Sequence, residues 1–341
     1  MIASTKYSKP EPELSIIVCH HVGDLLFGFL DSIFQSTNVT FEVIVVTSSS
    51  ELATQGIKDC RVFHSNELPA AKRNIGSRVA RGKYLAFFDD DVEVSPDCLW
   101  ELRQAMDIGV GMVYGKLWNM EHRTRFDEAG GFLTTTGFIW SRAQQNDIDT
   151  GQFDKVESIL AGKSASCMVR SDIFKQVGGF DEDFGILGEE TDLSWRIWLQ
   201  GKSVLFVPSA TGYHAFNTKF KPTEKHYTSH RVQYMGCRNY TTMLIKNLGR
   251  QHLWIVPIHM TIWFTAGLAM IITGKIRQGA NILKGLWHVI IGSGKTLEKR
   301  TLIQRERKVD ESALWAIISR RSPRGYYTQR FTRYITHALH G

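Results

Sequence analysis

Short apolar runs alternate with amphipathic segments along the first two hundred residues. Residues 14–19 and 41–46 are brief, β-branched and apolar, too short for helices and suited to buried strands. Between them, residues 25–34 repeat Leu26, Phe29, Leu30 and Ile33 at helical spacing. Residues 61–63 predict a short third strand. Residues 68–81 predict a helix, with Pro69 in its first turn and Gly82 as its C-terminal cap. Residues 84–88 predict another strand. Strand and helix alternate without a break, the pattern of a parallel sheet covered by helices.

After Gly115 the pattern loosens, and residues 118–160 read as loops and short strands. A short helix is expected over 171–177, followed by the turn Gly178-Gly-Phe-Asp-Glu182. A second helix opens at Glu189 or Glu190 and runs to Gln200, with Leu193, Ile197, Trp195 and Trp198 giving it an apolar face and Gly201 stopping it. Residues 204–207 predict a last strand, which Pro208 ends.

From about Cys237 the composition changes. Residues 253–273 contain no Lys, Arg, Asp or Glu over 21 positions, long enough to cross a bilayer, and residues 279–291 form a shorter apolar stretch carrying Lys284. Basic residues flank the longer stretch on both sides, and Pro257 and Gly267 interrupt it. A re-entrant or in-plane helical pair fits better than a single span, with a buried hairpin in a soluble domain as the competing reading.

The net charge of +7 hides an asymmetry. Residues 236–341 hold 17 Lys and Arg against 4 Asp and Glu, a net of +13, whereas residues 1–235 have 24 against 30, a net of −6. The expected division is therefore a mildly acidic domain, 1–235, and a basic helical region, 236–341, with apolar segments near 253–291. The basic part suits anionic lipid head groups. It carries no recognisable nucleic-acid-binding module, so nucleic acid is not an expected partner. Five scattered cysteines without metal or disulfide spacing, and a polar N-terminus without a secretory core, point to a reducing cytoplasmic setting.

Two acidic clusters carry the candidate chemistry. The strand at 84–88 ends in Asp89, Asp90 and Asp91, three adjacent anions that repel one another unless a cation lies between them. Such a cluster at the end of a buried parallel strand is either a solvated turn or a site for a hard divalent cation holding a phosphate. Glu189 and Glu190 open a helix, where the helix dipole favours the ionised form that a general base needs. Asp192 and Arg196 read as an i,i+4 pair. No Gly-x-Gly-x-x-Gly follows the first strand. Gly292-Ser-Gly-Lys-Thr296 lacks the leading glycine of a phosphate-binding loop, because position 289 is Val289.

The strand ending in Phe88-Asp-Asp-Asp-Val92, preceded by Lys72-Arg-Asn-Ile-Gly76 and Gly82-Lys-Tyr84 and followed by Gly178-Gly-Phe-Asp-Glu182 and Glu189-Glu-Thr-Asp-Leu-Ser-Trp-Arg196, resembles the core of family 2 glycosyltransferases. The resemblance covers about residues 14–216. The tail, with its Arg238-Asn239 pair and apolar helical segment, is similar to the rhamnosyltransferase-like branch. The resemblance implies an α/β GT-A fold with a mostly parallel central sheet, joined here to a C-terminal helical membrane-associated region. It also implies a metal site for Mg²⁺ or Mn²⁺ at Asp91, with Asp89 and His214 completing it. Asp90 and Arg73 are implied contacts of the nucleotide, with Thr47, Cys19 and His20 beside it. Glu190 is implied as catalytic base, with Glu189 as second candidate. The family's second strand normally ends in an aspartate, and Thr47 stands there, which leaves the nucleotide open.

The implied activity is an inverting, metal-dependent transfer of a hexosyl or deoxyhexosyl group. It runs from a nucleotide-sugar donor to a hydroxyl of a saccharide or lipid-linked glycan, in cell-surface polysaccharide or glycan synthesis at the cytoplasmic face of the membrane. The competing reading is a catalytically silent nucleotide-sugar-binding module on the same fold.

Overall fold

The computed structural model describes residues 11–21, 23–143, 147–215 and 229–320. The first half runs β1 (Leu14–His20), α1 (Leu25–Ile33), β2 (Phe41–Thr47), α2 (Ser50–Gln55), β3 (Cys60–His64), α3 (Pro69–Val79), β4 (Tyr84–Asp89), β5 (Val92–Val94), α4 (Cys98–Gln104) and β6 (Val110–Asn119). Short strands follow: β7 (Phe126–Glu128), β8 (Gly131–Thr134), β9 (Ile139–Ser141) and β10 (Glu157–Ser158). Then come β11 (Ser166–Arg170), α5 (Ser171–Gln176), α6 (Glu189–Leu199) and β12 (Ser203–His214). The C-terminal part is helical: α7 (Ser229–Asn247), α8 (Ile255–Ile272), α9 (Ile276–Ile291), α10 (Ser293–Arg305) and α11 (Glu311–Ile318), closed by β13 (Ser319–Arg320).

The main sheet is ordered β10-β12-β6-β11-β4-β1-β2-β3, with β5 and β7 attached to β12 and β6. Strands β4, β1, β2 and β3 are parallel. Their residues alternate between two cores: Ile17, Ile44 and Phe87 on one face, Ile16, Val18, Val43, Val45 and Phe88 on the other. Burial on both faces explains why these strands read as unbroken apolar runs. Strand β11, which the sequence pattern did not announce, inserts antiparallel between β4 and β6.

Three local expectations change. Gly82 does not cap α3, which ends at Val79; a Cβ there would lie 2.5 Å from the Ser15 backbone nitrogen, so close approach to β1 is what requires glycine. Pro208 does not end β12. Pairing with β6 jumps from Val207↔Gly115 to Thr211↔Lys116, so Pro208 sits in a bulge, and the strand continues to His214. Helix α6 is not amphipathic: every residue of it is buried except Glu190.

Gly267 and Pro257 do not break the apolar helix. Pro257 lies in the first turn of α8, where the missing N–H has no intrahelical role. Gly267 faces Gly279 of α9, and a side chain on Gly279 would strike the Gly267 carbonyl. The two glycines let α8 and α9 close into a hairpin. The composition change at residue 236 falls inside α7, so one helix spans both compositional halves. The basic tail beyond residue 320 lies outside the described residues.

Candidate active site

Register delivers the acidic triplet and its neighbours to one edge of the sheet. Cys19 of β1 pairs with Asp89 of β4, and His20 pairs with Thr47 of β2. After Asp91 the chain reverses into β5, which pairs antiparallel with Gly212–His214 at the end of β12. The Ala215 N–H donates to the Asp91 carbonyl at 2.9 Å. This small ladder carries His214 to the triplet across more than a hundred residues of chain.

Ligand atoms of Asp89, Asp91 and His214 lie within 4.8 Å of one another. Nε2 of His214 is 3.1 Å from Asp91 Oδ1, and Nδ1 is 2.7 Å from Asp127 Oδ2. Asp127 in turn accepts from Lys163 through both oxygens at 2.7 Å. Burial opposes charge on His214, but Asp91 and Asp127 on either side outweigh it and raise the pKa to about 10. Two carboxylates and an imidazole, the latter oriented from behind by a third carboxylate, form a donor set that fits Mn²⁺ or Mg²⁺. Asp127→Asn is expected to weaken Mn²⁺ binding by about 10- to 100-fold, measured by titration calorimetry; unchanged affinity would remove Asp127 from this role.

Asp90 differs from its two neighbours. It accepts from the His21 backbone N–H at 3.3 Å. Burial, with the charges of Asp91 and Asp89, raises its pKa to about 7, the repulsion expected of three consecutive aspartates.

The second acidic cluster reaches the same place. Arg73, on α3 and 3% exposed, donates from Nη2 to Asp89 and from Nη1 to Glu189, each at 2.8 Å. Its guanidinium also lies over the Phe180 ring at 5.5 Å. Both terminal nitrogens are therefore committed to carboxylates. Here Arg73 braces the two acidic clusters. Glu189 is buried against Arg73, and the neighbouring Glu190 is partly buried. Burial, then the charge of Glu189, raises the Glu190 pKa well above the carboxylate range, with Arg73 opposing. The helix dipole alone had pointed the other way.

The residues of the expected nucleotide wall have partners within the protein. Thr47 is fully buried, and its hydroxyl meets His20 Nδ1 at 2.7 Å and the Ser49 N–H at 2.9 Å. His20 is buried too, with Nε2 against the Gly23 carbonyl. The two residues thus hold each other at the ends of β1 and β2. Cys19 is half-buried with Sγ toward the Pro69 carbonyl, and burial pushes its thiol up to about 12. His21 and Ser48 are the outer residues here, linked at 3.3 Å.

Sequence reasoning missed Asp127, Lys163 and Lys72. Lys72 is buried and donates to the His20 carbonyl at 2.7 Å and to Ser48 Oγ at 2.6 Å, placing a cation beside strand ends that lack the usual aspartate. Its signal was its place next to Arg73. Asp127 and Lys163 lie where the pattern is irregular and gave none.

An α/β sheet with an acidic strand end facing carboxylates at a helix N-terminus is a GT-A-like fold. The family model described as glycosyl transferase family 2 matches residues 15–175, a little under half of the chain, and supports a family 2 glycosyltransferase. The O-antigen biosynthesis protein RfbC of Myxococcus xanthus is 33% identical over 215 residues, covering 57% of this chain and 16% of that protein. N-acetylgalactosaminyltransferase 4 of Drosophila melanogaster is 24% identical over 242 residues, covering 64% and 37%. The chain thus spans well under half the length of these relatives. Among solved structures, GalNAc-T7 with UDP, GalNAc and Mn²⁺ superposes with a TM-score of 0.55 at 15% identity, over 77% of this chain and 51% of that one. That likeness shows the fold.

Proposed function

We propose that the protein transfers a hexosyl or deoxyhexosyl group from a nucleotide-sugar donor to a hydroxyl of a saccharide or lipid-linked glycan, with inversion, in polysaccharide synthesis. The observation that carries this reading is Arg73 joining Asp89 and Glu189 at 2.8 Å each. Two acidic clusters a hundred positions apart thereby flank a single site. The UDP, sugar and Mn²⁺ named with the GalNAc-T7 structure support the donor class.

Asp89, Asp91 and His214 would hold Mg²⁺ or Mn²⁺, which when bound supplies the charge that stabilises a departing nucleoside diphosphate. Glu190 takes the proton of the acceptor hydroxyl as its oxygen bonds to the anomeric carbon. The bond from that carbon to the diphosphate oxygen breaks on the opposite face. Glu189, paired with Arg73, holds the charge balance in this reading. Positioning and electrostatics supply most of the rate.

A thermal-shift screen of UDP-, GDP-, dTDP- and CMP-sugars with Mn²⁺, followed by assay of nucleotide release with acceptor, tests this reading. Stabilisation by one donor class with turnover is expected. Binding without turnover identifies a silent module, and no binding ends the proposal.

The protein works, in this reading, at the cytoplasmic face of a membrane. Arg250–Ile272 is one helical stretch long and apolar enough to cross a bilayer, and about a third of its most apolar window is buried. Phe264, Leu268, Ile272, Ile276, Trp287, Ile290 and Ile291 are exposed along the α8–α9 hairpin, with Lys275 and Arg277 at its turn. Exposed apolar area bordered by cations suits an anionic bilayer surface. The variant carrying Phe264→Glu, Ile272→Glu and Trp287→Glu is expected to lose at least about tenfold in flotation with phosphatidylglycerol vesicles; undiminished flotation would contradict the placement.

A further inference from the structure

The Arg238-Asn239 pair has no part in the site so far. Both residues lie on α7, beyond the acidic half of the chain, yet their side chains end in the segment that leads into the base-bearing helix. The Asn239 Nδ2 group donates to the carbonyls of Phe184, Ile186 and Leu187 at 3.0, 3.0 and 2.8 Å. Its Oδ1 accepts from Arg238 Nε at 2.8 Å, which fixes the orientation of the amide. Arg238 Nη2 donates to the Asp183 carbonyl at 2.7 Å. Asn239 is 1% exposed.

That segment needs an external hold. Leu187 has φ of +72°, a left-handed conformation that non-glycine residues avoid, and Gly188 follows at +86°. Gly188 is the N-cap position of α6 and offers no side chain for capping, so the helix carrying Glu190 starts without a cap of its own. A Cβ on Gly188 would lie 3.1 Å from the Tyr240 ring, so α7 also packs against the turn. Two turns of α7 further on, Asn247 donates to Asp192 of α6 at 2.9 Å, and Lys246 pairs with the same carboxylate.

We infer that Asn239, assisted by Arg238, is a positioning residue for the base: its amide gathers three carbonyls and fixes the turn from which Glu190 projects. The catalytic unit therefore extends through α7. This rests on Glu190 being the base. Two N–H groups of one buried amide, shared among three carbonyls, hold the turn in a conformation that Leu187 would leave if released. A small displacement of a base costs far more in rate than in binding.

The test uses the full chain with the donor selected by the screen and Mn²⁺. Asn239→Asp keeps the shape but turns oxygen toward three carbonyls. It is expected to lower kcat by about 100-fold and leave donor and Mn²⁺ affinity unchanged by calorimetry, because the metal cluster hangs on β4, β5 and β12. Hydrogen exchange of peptides covering 183–190 should quicken by at least about tenfold, with peptides covering 84–95 unaffected. In a Glu190→Gln background Asn239→Asp should lower kcat little further, since both act through one group.

Unchanged kcat overturns the inference, as does an additive loss accompanied by weaker donor binding, which would mark a general structural role. Should Asn239→Asp fail to fold, Arg238→Met, which removes the bond to Asp183, is expected to cost about tenfold in kcat with the same unchanged affinities; full activity there overturns the inference equally. Full activity of Glu190→Gln alone refutes the base assignment, whatever Asn239 does.

Discussion

Asp91→Ala is expected to abolish Mn²⁺-dependent donor binding, weakening it by at least about 100-fold, and to lower turnover on the order of a thousandfold. Asp91 occupies the reversal between β4 and β5, and its side chain faces His214 Nε2 at 3.1 Å. Without it the cluster keeps one carboxylate and one imidazole, too few anionic oxygens to hold a hard cation against water. Backbone pairing of β5 with β12 does not depend on the side chain, so circular dichroism should report an intact fold. Titration with Mn²⁺ in the absence of donor separates the metal from the nucleotide. Equal Mn²⁺ affinity in the variant and the natural chain would remove Asp91 from the metal site, whatever happened to turnover.

The reach of sequence reasoning followed how local each interaction is. The strands at 14–20, 41–47 and 84–89 were readable because both faces of each are buried, so apolarity alone marks them. Helix α1 was readable from four residues that do face the core: Leu26, Phe29, Leu30 and Ile33. Strand β11 was not. It lies antiparallel in a largely parallel neighbourhood, a fact of pairing between distant segments that no periodicity encodes. Pro208 misled for the same reason. A proline ends pairing where it needs a donor, but a bulge against Gly115 removes the need, and only the partner strand reveals the bulge.

The site divides likewise. Asp89, Asp91 and His214 were named from motif positions and do converge. Arg73 and Thr47 stand at the named places but face other protein groups: two carboxylates claim the guanidinium, and His20 claims the hydroxyl. A motif shows where a side chain begins, while its direction depends on neighbours that the motif does not contain. Asp127 and Lys163 make the point from the other side, since they act on His214 from a stretch with no pattern to follow.

Glu190→Gln is expected to lower kcat by about 10²- to 10⁴-fold with donor and Mn²⁺ binding retained, because a proton acceptor is removed and its volume kept. Three measurements tie that loss to the environment of this carboxylate. Burial, and then the charge of Glu189, hold its pKa above the carboxylate range. A base works only when deprotonated, so kcat of the natural enzyme should fall as pH drops through that raised value, well above where an ordinary glutamate titrates. A carboxyl whose pKa is raised by folding favours the folded state while protonated, and that contribution is lost as pH rises through the folded pKa. The Tm advantage of Glu190→Gln should therefore widen with rising pH, activity and stability pulling in opposite directions at one residue. Glu189→Gln separates the two glutamates. It removes the like charge and leaves Arg73 one partner fewer, so the acid limb of kcat should move to lower pH with much of kcat preserved. A loss in Glu189→Gln as deep as in Glu190→Gln would make the buried, Arg73-bound carboxylate the base. A Tm gap that narrowed with pH would mean that the charge on Glu190 is stabilised by folding, against the surroundings described here.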